Sequence, residues 1–327
     1  MINGLTLGSV YAIVALGYTM VYGIIQLINF AHGEVVMIGA MVAYSVIVVL
    51  FRANFGLPPV MIVLAGLIAA IPVCMAVGYT LERVAYRPLR RAPRLAPLIT
   101  AIGLSIILQH IAMIIWSRNP LPYPQVVQTI PYHITSSASG ATITNVQIAI
   151  IVGSFAMMGL LLLLVYKTKL GIAMRATAQN QQVAGLMGID INKVISLTFV
   201  IGAALGAVAG VMVGSYYGIA HYQMGFILGL KAFSAAVLGG IGNLAGAMLG
   251  CLLLGIIEAL GAGYVGDLTN LCNLSGWSDA LATRCAEDSN LTLFGSNYQD
   301  VFAFLVLIAV LIFRPSGLLG ERVADRA

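Results

Sequence analysis

Charge is what this sequence has least of. Only 8% of its 327 residues are Asp, Glu, Lys or Arg, where a water-soluble domain carries about 25%. The mean hydropathy is +1.00. A chain this poor in charge and 60% hydrophobic reads as one polytopic membrane bundle spanning 1–327, although length alone would suggest about two domains. The net charge of +5 is no nucleic-acid signature, because the basic residues are spread over short loops and no basic tract is interleaved with aromatics. Catalytic signatures are missing as well. There is no glycine loop ending in Lys and Ser or Thr, no HExxH, no CxxC and no serine elbow, and the four histidines lack ligand spacing. The expectation is a non-enzymatic chain with no cofactor and no metal site of its own. Energy for uphill movement must then come from an ion gradient or from another subunit. The N-terminus, MINGLTLGSV, has no charged leader and does not read as a cleaved signal peptide.

What is present is a series of apolar runs. A hydrocarbon core needs roughly 20 apolar residues per helix. Runs of that kind fall near 5–28, 34–51, 58–81, 95–116, 146–166, 194–216, 226–241, 245–264 and 298–313. The fold class expected is all-α, a transmembrane helical bundle of eight or nine spans. Basic residues mark the cytoplasmic loops. Twelve of the sixteen lie in three places: Arg83 to Arg94; Lys167, Lys169, Arg175 and Lys193; and the tail with Arg314, Arg322 and Arg326. This puts the C-terminus inside and, with nine crossings, the N-terminus outside. The Pro-rich 118–145 stretch and the acidic 265–297 loop then lie outside. That second loop holds Cys272 and Cys285, which either form a disulfide in an oxidising compartment or remain two thiols.

Against this background the segment 167–193, KTKLGIAMRATAQNQQVAGLMGIDINK, stands out as a polar, helix-prone insert between two spans. It has the look of a cytoplasmic handle that another protein grips. Gly202, Gly206, Gly210 and Gly214 recur at four-residue spacing, which lines one helix face for close packing. Two stretches look like interrupted helices: Asn29, His32, Gly33 and Glu34 in the first, and Gly239, Gly240, Gly242 and Asn243 in the second. Paired interruptions in two halves of a chain point to a transport path and to an internal repeat. His32 and Glu34 are candidates for substrate contact or for a gate or cap. Lys231 and Glu258, inside apolar spans, either pair or snorkel. His110 beside Gln109 suggests an interior polar pair.

These residues carry a resemblance. YTMVYG (18–23), INFAHGEVVMIGA (28–40), ERVAYRPLR (82–90), GLMGIDINKVISLTFVIGAALGAVAGVMVG (185–214) and KAFSAAVLGGIGNLAGAMLGCLLLGIIEA (231–259) resemble the LivH-type permeases of branched-chain amino acid ABC importers, nearly end to end. The 265–297 loop, long and Cys-bearing, departs from the family pattern. The resemblance implies a multi-pass protein of the bacterial inner membrane, beside membrane lipid and with no nucleic acid. It also implies a second, LivM-type permease subunit, two cytoplasmic ATPases that bind the ATP and Mg, and a periplasmic substrate-binding protein. On this sequence the coupling helix would be Arg175 to Ile189, with Arg175, Ala178, Gln179, Ala184, Gly188 and Ile189 at the ATPase contact. Three functional readings stand at this point: a branched-chain amino acid permease subunit, a urea or short-amide permease of the same superfamily, and a stand-alone ion-coupled transporter or channel.

Overall fold

Helices are the only secondary structure that satisfies its own backbone hydrogen bonds within one apolar segment, and they dominate this chain. The computed structural model describes residues 1–27, 29–53, 56–90, 92–93, 95–133, 142–261, 299–314 and 317–319. Its long helices are α1 (Ile2–Ile25), α2 (His32–Ala53), α3 (Pro59–Thr80), α5 (Leu95–Ile115), α6 (Asn145–Lys167) and α9 (Ile191–Tyr217). A π-helical turn, Leu81–Tyr86, carries α3 into the short α4 (Arg87–Leu89). The handle between α6 and α9 is α7 (Lys169–Gln179) and α8 (Gln181–Leu186). After α9 come α10 (Met224–Gly239), α11 (Leu244–Leu260) and α12 (Gln299–Phe313). Two small antiparallel ladders complete the description. β1 (Leu121–Pro122) pairs with β4 (Ile219–Ala220), and β2 (Pro131–His133) with β3 (Thr142–Thr144).

Burial sorts the helices. The apolar window of α1 is 83% buried and that of α9 is 67% buried, against 17% for α5 and α6. The two inner helices are rich in small residues, and in lipid it is close backbone approach that drives helices together. Val10 to Leu16 of α1 are fully enclosed. Val10 to Ala15 pack on Ala232, Ala235 and Ala236 of α10 and on Met248, Cys251 and Leu254 of α11. A second cluster joins Val35, Met37 and Met41 of α2 to Cys74 of α3 and to Ala203, Ala207 and Val211 of α9. Helices with most of their apolar surface exposed, such as α5, whose buried residues lie along the single face of Pro97, Ala101, Ser105 and Ala112, present that surface to lipid or to another membrane chain.

The structure does not fix the span count at the expected eight or nine. Among the described residues six helices are long and apolar enough to cross a membrane, or seven if α10 and α11 count as one broken span. The regions 226–241 and 245–264 are not two ordinary crossings. α10 and α11 hold 16 and 17 residues and meet at a bend of 117°. α10 also begins deep in the bundle, because a Cβ on Gly225 would collide with the carbonyl of Gly33 at the start of α2.

Candidate functional site

The site is built on helix ends that meet inside the bundle. α1 stops at Gln26, whose backbone is left-handed (φ 56°, ψ 26°), a conformation costing a non-glycine residue roughly 1–2 kcal/mol. The linker then turns back along the helix it has just left. A Cβ on Gly17 would run into the His32 imidazole, and eight residues of α1 lie beyond Gly17. α2 therefore starts about 12 Å inside the Ile25 end of α1, at 1.5 Å per residue. His32 and Glu34, which the sequence leaves between substrate contact and a gate or cap, are both buried, His32 at 2% and Glu34 at 0% exposure. Sequence distance hid this, because only the packing of α1 against α9 and α2 sets the depth at which the second helix begins.

Glu34 sits in the first turn of α2. Ser105 and Gln109 of α5 each donate to its Oε1 at 2.8 Å. Its Oε2 faces the start of α10, 2.8 Å from where a Cβ on Gly225 would stand, and has no hydrogen-bond partner among the described residues. Two helix N-termini, each equivalent to about half a positive charge, thus converge on one buried carboxylate. Gly33 and Gly225 permit it, since a side chain on either would force the two helix starts apart. Tyr18 meets His32 edge-on at 4.8 Å, and Phe233 lies 5.5 Å from Phe30. Gln109 and His110 do not form a pair: Gln109 turns to Glu34, whereas His110 is exposed with Nδ1 2.8 Å from the Ile106 carbonyl.

The second interruption lies at the other end of α10. Gly240 and Gly242 have φ of 108° and 100°, values closed to other residues. Asn243 caps α11 by accepting from the amides of Ala245 and Gly246 at 3.1 and 3.2 Å. Gly239 accepts the Leu319 amide at 3.0 Å. The two interruptions are brought together, for Asn29 and Ile241 line one cavity with Tyr18, Thr19, Tyr22 and Phe233. Its volume of about 10 Å³ is room for no more than a single water.

Buried Lys231 and Glu258, with the partly exposed Asp300, form a cluster that draws α10, α11 and α12 together. Lys231 Nζ lies 2.8 Å from Glu258 and 2.5 Å from Asp300, and Tyr11 of α1 donates to Glu258 at 3.0 Å. Of the alternatives read from the sequence, pairing is the one adopted. The glycine line packs α9 against three neighbours. Gly202 faces Gly17 and Val21, Gly206 faces Val35, Gly210 faces the Val36 and Gly39 backbone, and Gly214 faces Tyr123. Cys74 and Cys251 are free and buried. Cys272, Cys285 and the 265–297 loop lie outside the described residues.

The handle departs from a single helix at Asn180. That residue is extended (φ −157°, ψ 107°), and its side chain accepts from the amides of Gln182 and Val183, so it ends α7 and caps α8. Arg175 lies over the Tyr166 ring at 5.2 Å. Arg175 and Ala178 line a cavity of about 150 Å³ with Gly242, and Gln179 is exposed. Ala184 is 4% exposed and therefore faces inward rather than toward a partner. The outward apolar residues are Leu186 and Met187, 87% and 79% exposed, which the sequence reading did not single out. Gly188 (φ 85°) turns the chain, and the Ile189 amide returns to the Ala184 carbonyl at 3.1 Å. Asp190 then caps α9, accepting the Lys193 amide at 3.2 Å.

Comparison with known proteins places this geometry in context. The sequence profile described as "Branched-chain amino acid transport system / permease component" matches residues 1–311. The high-affinity branched-chain amino acid transport system permease protein BraD of Pseudomonas aeruginosa is 46% identical over 326 residues, covering 100% of this chain and 96% of that protein. The corresponding LivH of Escherichia coli is 42% identical over 328 residues, with the same coverage. A probable branched-chain amino acid permease, LivH of Methanocaldococcus jannaschii, is 25% identical over 94% of this chain and 88% of its own length. No solved structure matches.

Proposed function

The chain belongs to the branched-chain amino acid transport permease family, and from that footing we propose that it is a membrane-embedded permease subunit of an ATP-driven importer for leucine, isoleucine and valine. It is a multi-pass membrane protein and carries no catalysis itself. A second permease subunit completes the path, two cytoplasmic ATPases bind ATP and Mg and do the hydrolysis, and an extracytoplasmic binding protein delivers the substrate. The membrane is the bacterial inner membrane, with the C-terminus and the α7–α8 handle on the cytoplasmic side. The observation that carries the reading is the α8 tip. Leu186 and Met187 stand almost fully exposed at the end of a short helix closed by Gly188, an arrangement unfavourable in water and suited to a groove on a partner.

The mechanism follows from the helix ends. Movement of the ATPases presses the α8 tip, and rigid-body rocking of the bundle reorients the path between the two permease subunits. The α2 and α10 starts, with Glu34 between them, are the irregular backbone that such a path requires. In the present conformation the cavity at the two interruptions admits nothing larger than water, so passage of a branched side chain needs α2 and α10 to separate.

The test is uptake by the four-component complex in liposomes, with the binding protein supplied outside. Wild type is expected to accumulate radiolabelled leucine only with ATP inside. Leu186→Glu with Met187→Glu is expected to lower both binding-protein-stimulated hydrolysis and uptake at least tenfold, with the permease still assembled in the membrane. Full activity of that variant sinks the docking assignment. Uptake by the permease without the ATPases, or of urea in place of leucine, sinks the larger reading.

A further inference from the structure

Between the α8 tip and the α2 start lies a continuous set of polar contacts, exposed at its outer end and buried at its inner one, to which no role has yet been given. It begins at the first turns of α9, which follow the tip directly through the Gly188 turn. There Asn192 accepts from Arg90 at 2.8 Å, and Ser196 donates to Glu82 at 2.5 Å. Arg90 is also ion-paired with Glu82. Glu82 is 0% exposed and stands in the π-helical turn Leu81–Tyr86, whose wide bond runs from the Arg87 amide to the Glu82 carbonyl. Single π turns interrupt helices mostly at functional places.

Four residues further along that turn is Tyr86, 1% exposed. Its ring packs on Phe199 of α9 at 5.2 Å, and its hydroxyl donates to the Asn29 side chain at 2.7 Å. Asn29 belongs to the non-helical linker before α2, and its carbonyl accepts the His32 amide, the first of α2, at 3.0 Å. One residue of the linker is thus held by its side chain from the π turn and by its carbonyl from α2. Any shift of the α9 base that carries Glu82 and Tyr86 with it displaces Asn29, and Asn29 sets where the α2 start lies.

We infer that Tyr86 is a positioning residue for transport: through its hydrogen bond to Asn29 it ties the handle to the α2 start, so that force on α8 moves the helix end at Glu34. This rests on the permease reading above. Tyr86 touches neither substrate nor nucleotide in this scheme; it acts through Asn29. Both groups are buried, so loss of the hydroxyl leaves the Asn29 oxygen without a strong donor and the linker free to lag behind the π turn.

The experiment measures leucine taken up per ATP hydrolysed in the reconstituted complex. Tyr86→Phe keeps the ring against Phe199 and removes only the hydroxyl. The expected result is a fall of about tenfold in that ratio, about 1.4 kcal/mol of coupling, with stimulated hydrolysis within twofold of wild type and the melting temperature lowered by only a few degrees, the cost of one unpaired buried oxygen. Asn29→Ala is expected to lower the ratio by a similar factor, and the double variant to fall no further than either single one. An unchanged ratio in Tyr86→Phe, or two single losses that multiply in the double variant, overturns the inference. If Tyr86→Phe fails to assemble, Asn29→Ala decides by the same ratio. A wild-type complex without ATP-dependent leucine uptake overturns the transport reading and this inference with it, whereas an active wild type with an unaltered Tyr86→Phe overturns the inference alone.

Discussion

At the scale of single residues, the buried charges have the largest energetic consequence. Lys231 serves two carboxylates, buried Glu258 and partly exposed Asp300, and removal of one member from a buried pair such as Lys231–Glu258 typically costs about 3–5 kcal/mol because the other is left uncompensated. Lys231→Met is therefore expected to lower the melting temperature of the detergent-purified complex sharply. Adding Glu258→Gln to that variant should restore much of the loss, as it removes the more deeply buried of the two orphaned charges. A single variant as stable as wild type would mean that the cluster is already compensated by other groups. The sequence flagged Lys231 and Glu258 as odd in an apolar run but could not pair them, since they lie 27 residues apart and are joined only by the bend between α10 and α11.

At the scale of elements, the handle is where sequence and structure part in an instructive way. Composition alone marked 167–193 as polar, helical and outside the apolar core. The break at Asn180 was not read, because alanines and amides on both sides favour helix and Asn is tolerated within one. The extended backbone and the two amides accepted by its side chain identify it as a cap. Asp190 plays the same part for α9. The Lys193 amide, and then the Lys193 side chain, hold its carboxyl below the ordinary carboxylate range. Since the folded value is the lower one, the cap contributes fully above the unfolded value of about 3.9 and is lost as pH falls through the folded value. Hydrogen exchange at the Lys193 amide, corrected for its intrinsic pH dependence, should thus show constant protection between pH 8 and 5 and a loss only below about 4. Asp190→Ala should lose protection at neutral pH; protection that already declines between pH 7 and 5 would contradict the assignment.

At the scale of the whole molecule, the glycines separate into two kinds that look alike in sequence. Gly210 on α9 faces the backbone of α2, where a Cβ would have no room, while Gly103 on α5 has nothing within 4 Å. Gly210→Leu should force α2 and α9 apart, at a cost of at least about 1–3 kcal/mol, and reduce the yield of assembled protein. Gly103→Ala should be neutral or slightly stabilising, in keeping with the better helix propensity of alanine. Equal melting temperatures for the two variants would contradict the packing assigned to α9.

What the sequence by itself determined is the solvent and the class. So few charges and such long apolar runs leave no alternative to a helical membrane bundle, because lipid offers the backbone no hydrogen-bonding partners. The polar handle and the glycine line are likewise legible locally, for each depends on residues within a turn or two. Depth and pairing were decided by tertiary structure. That α2 begins beside Gly17, that α10 starts against Gly33, and that Tyr86 reaches Asn29 are all contacts between segments remote in sequence. They arise from how closely small residues let backbones approach, a property of two surfaces together that neither helix carries alone.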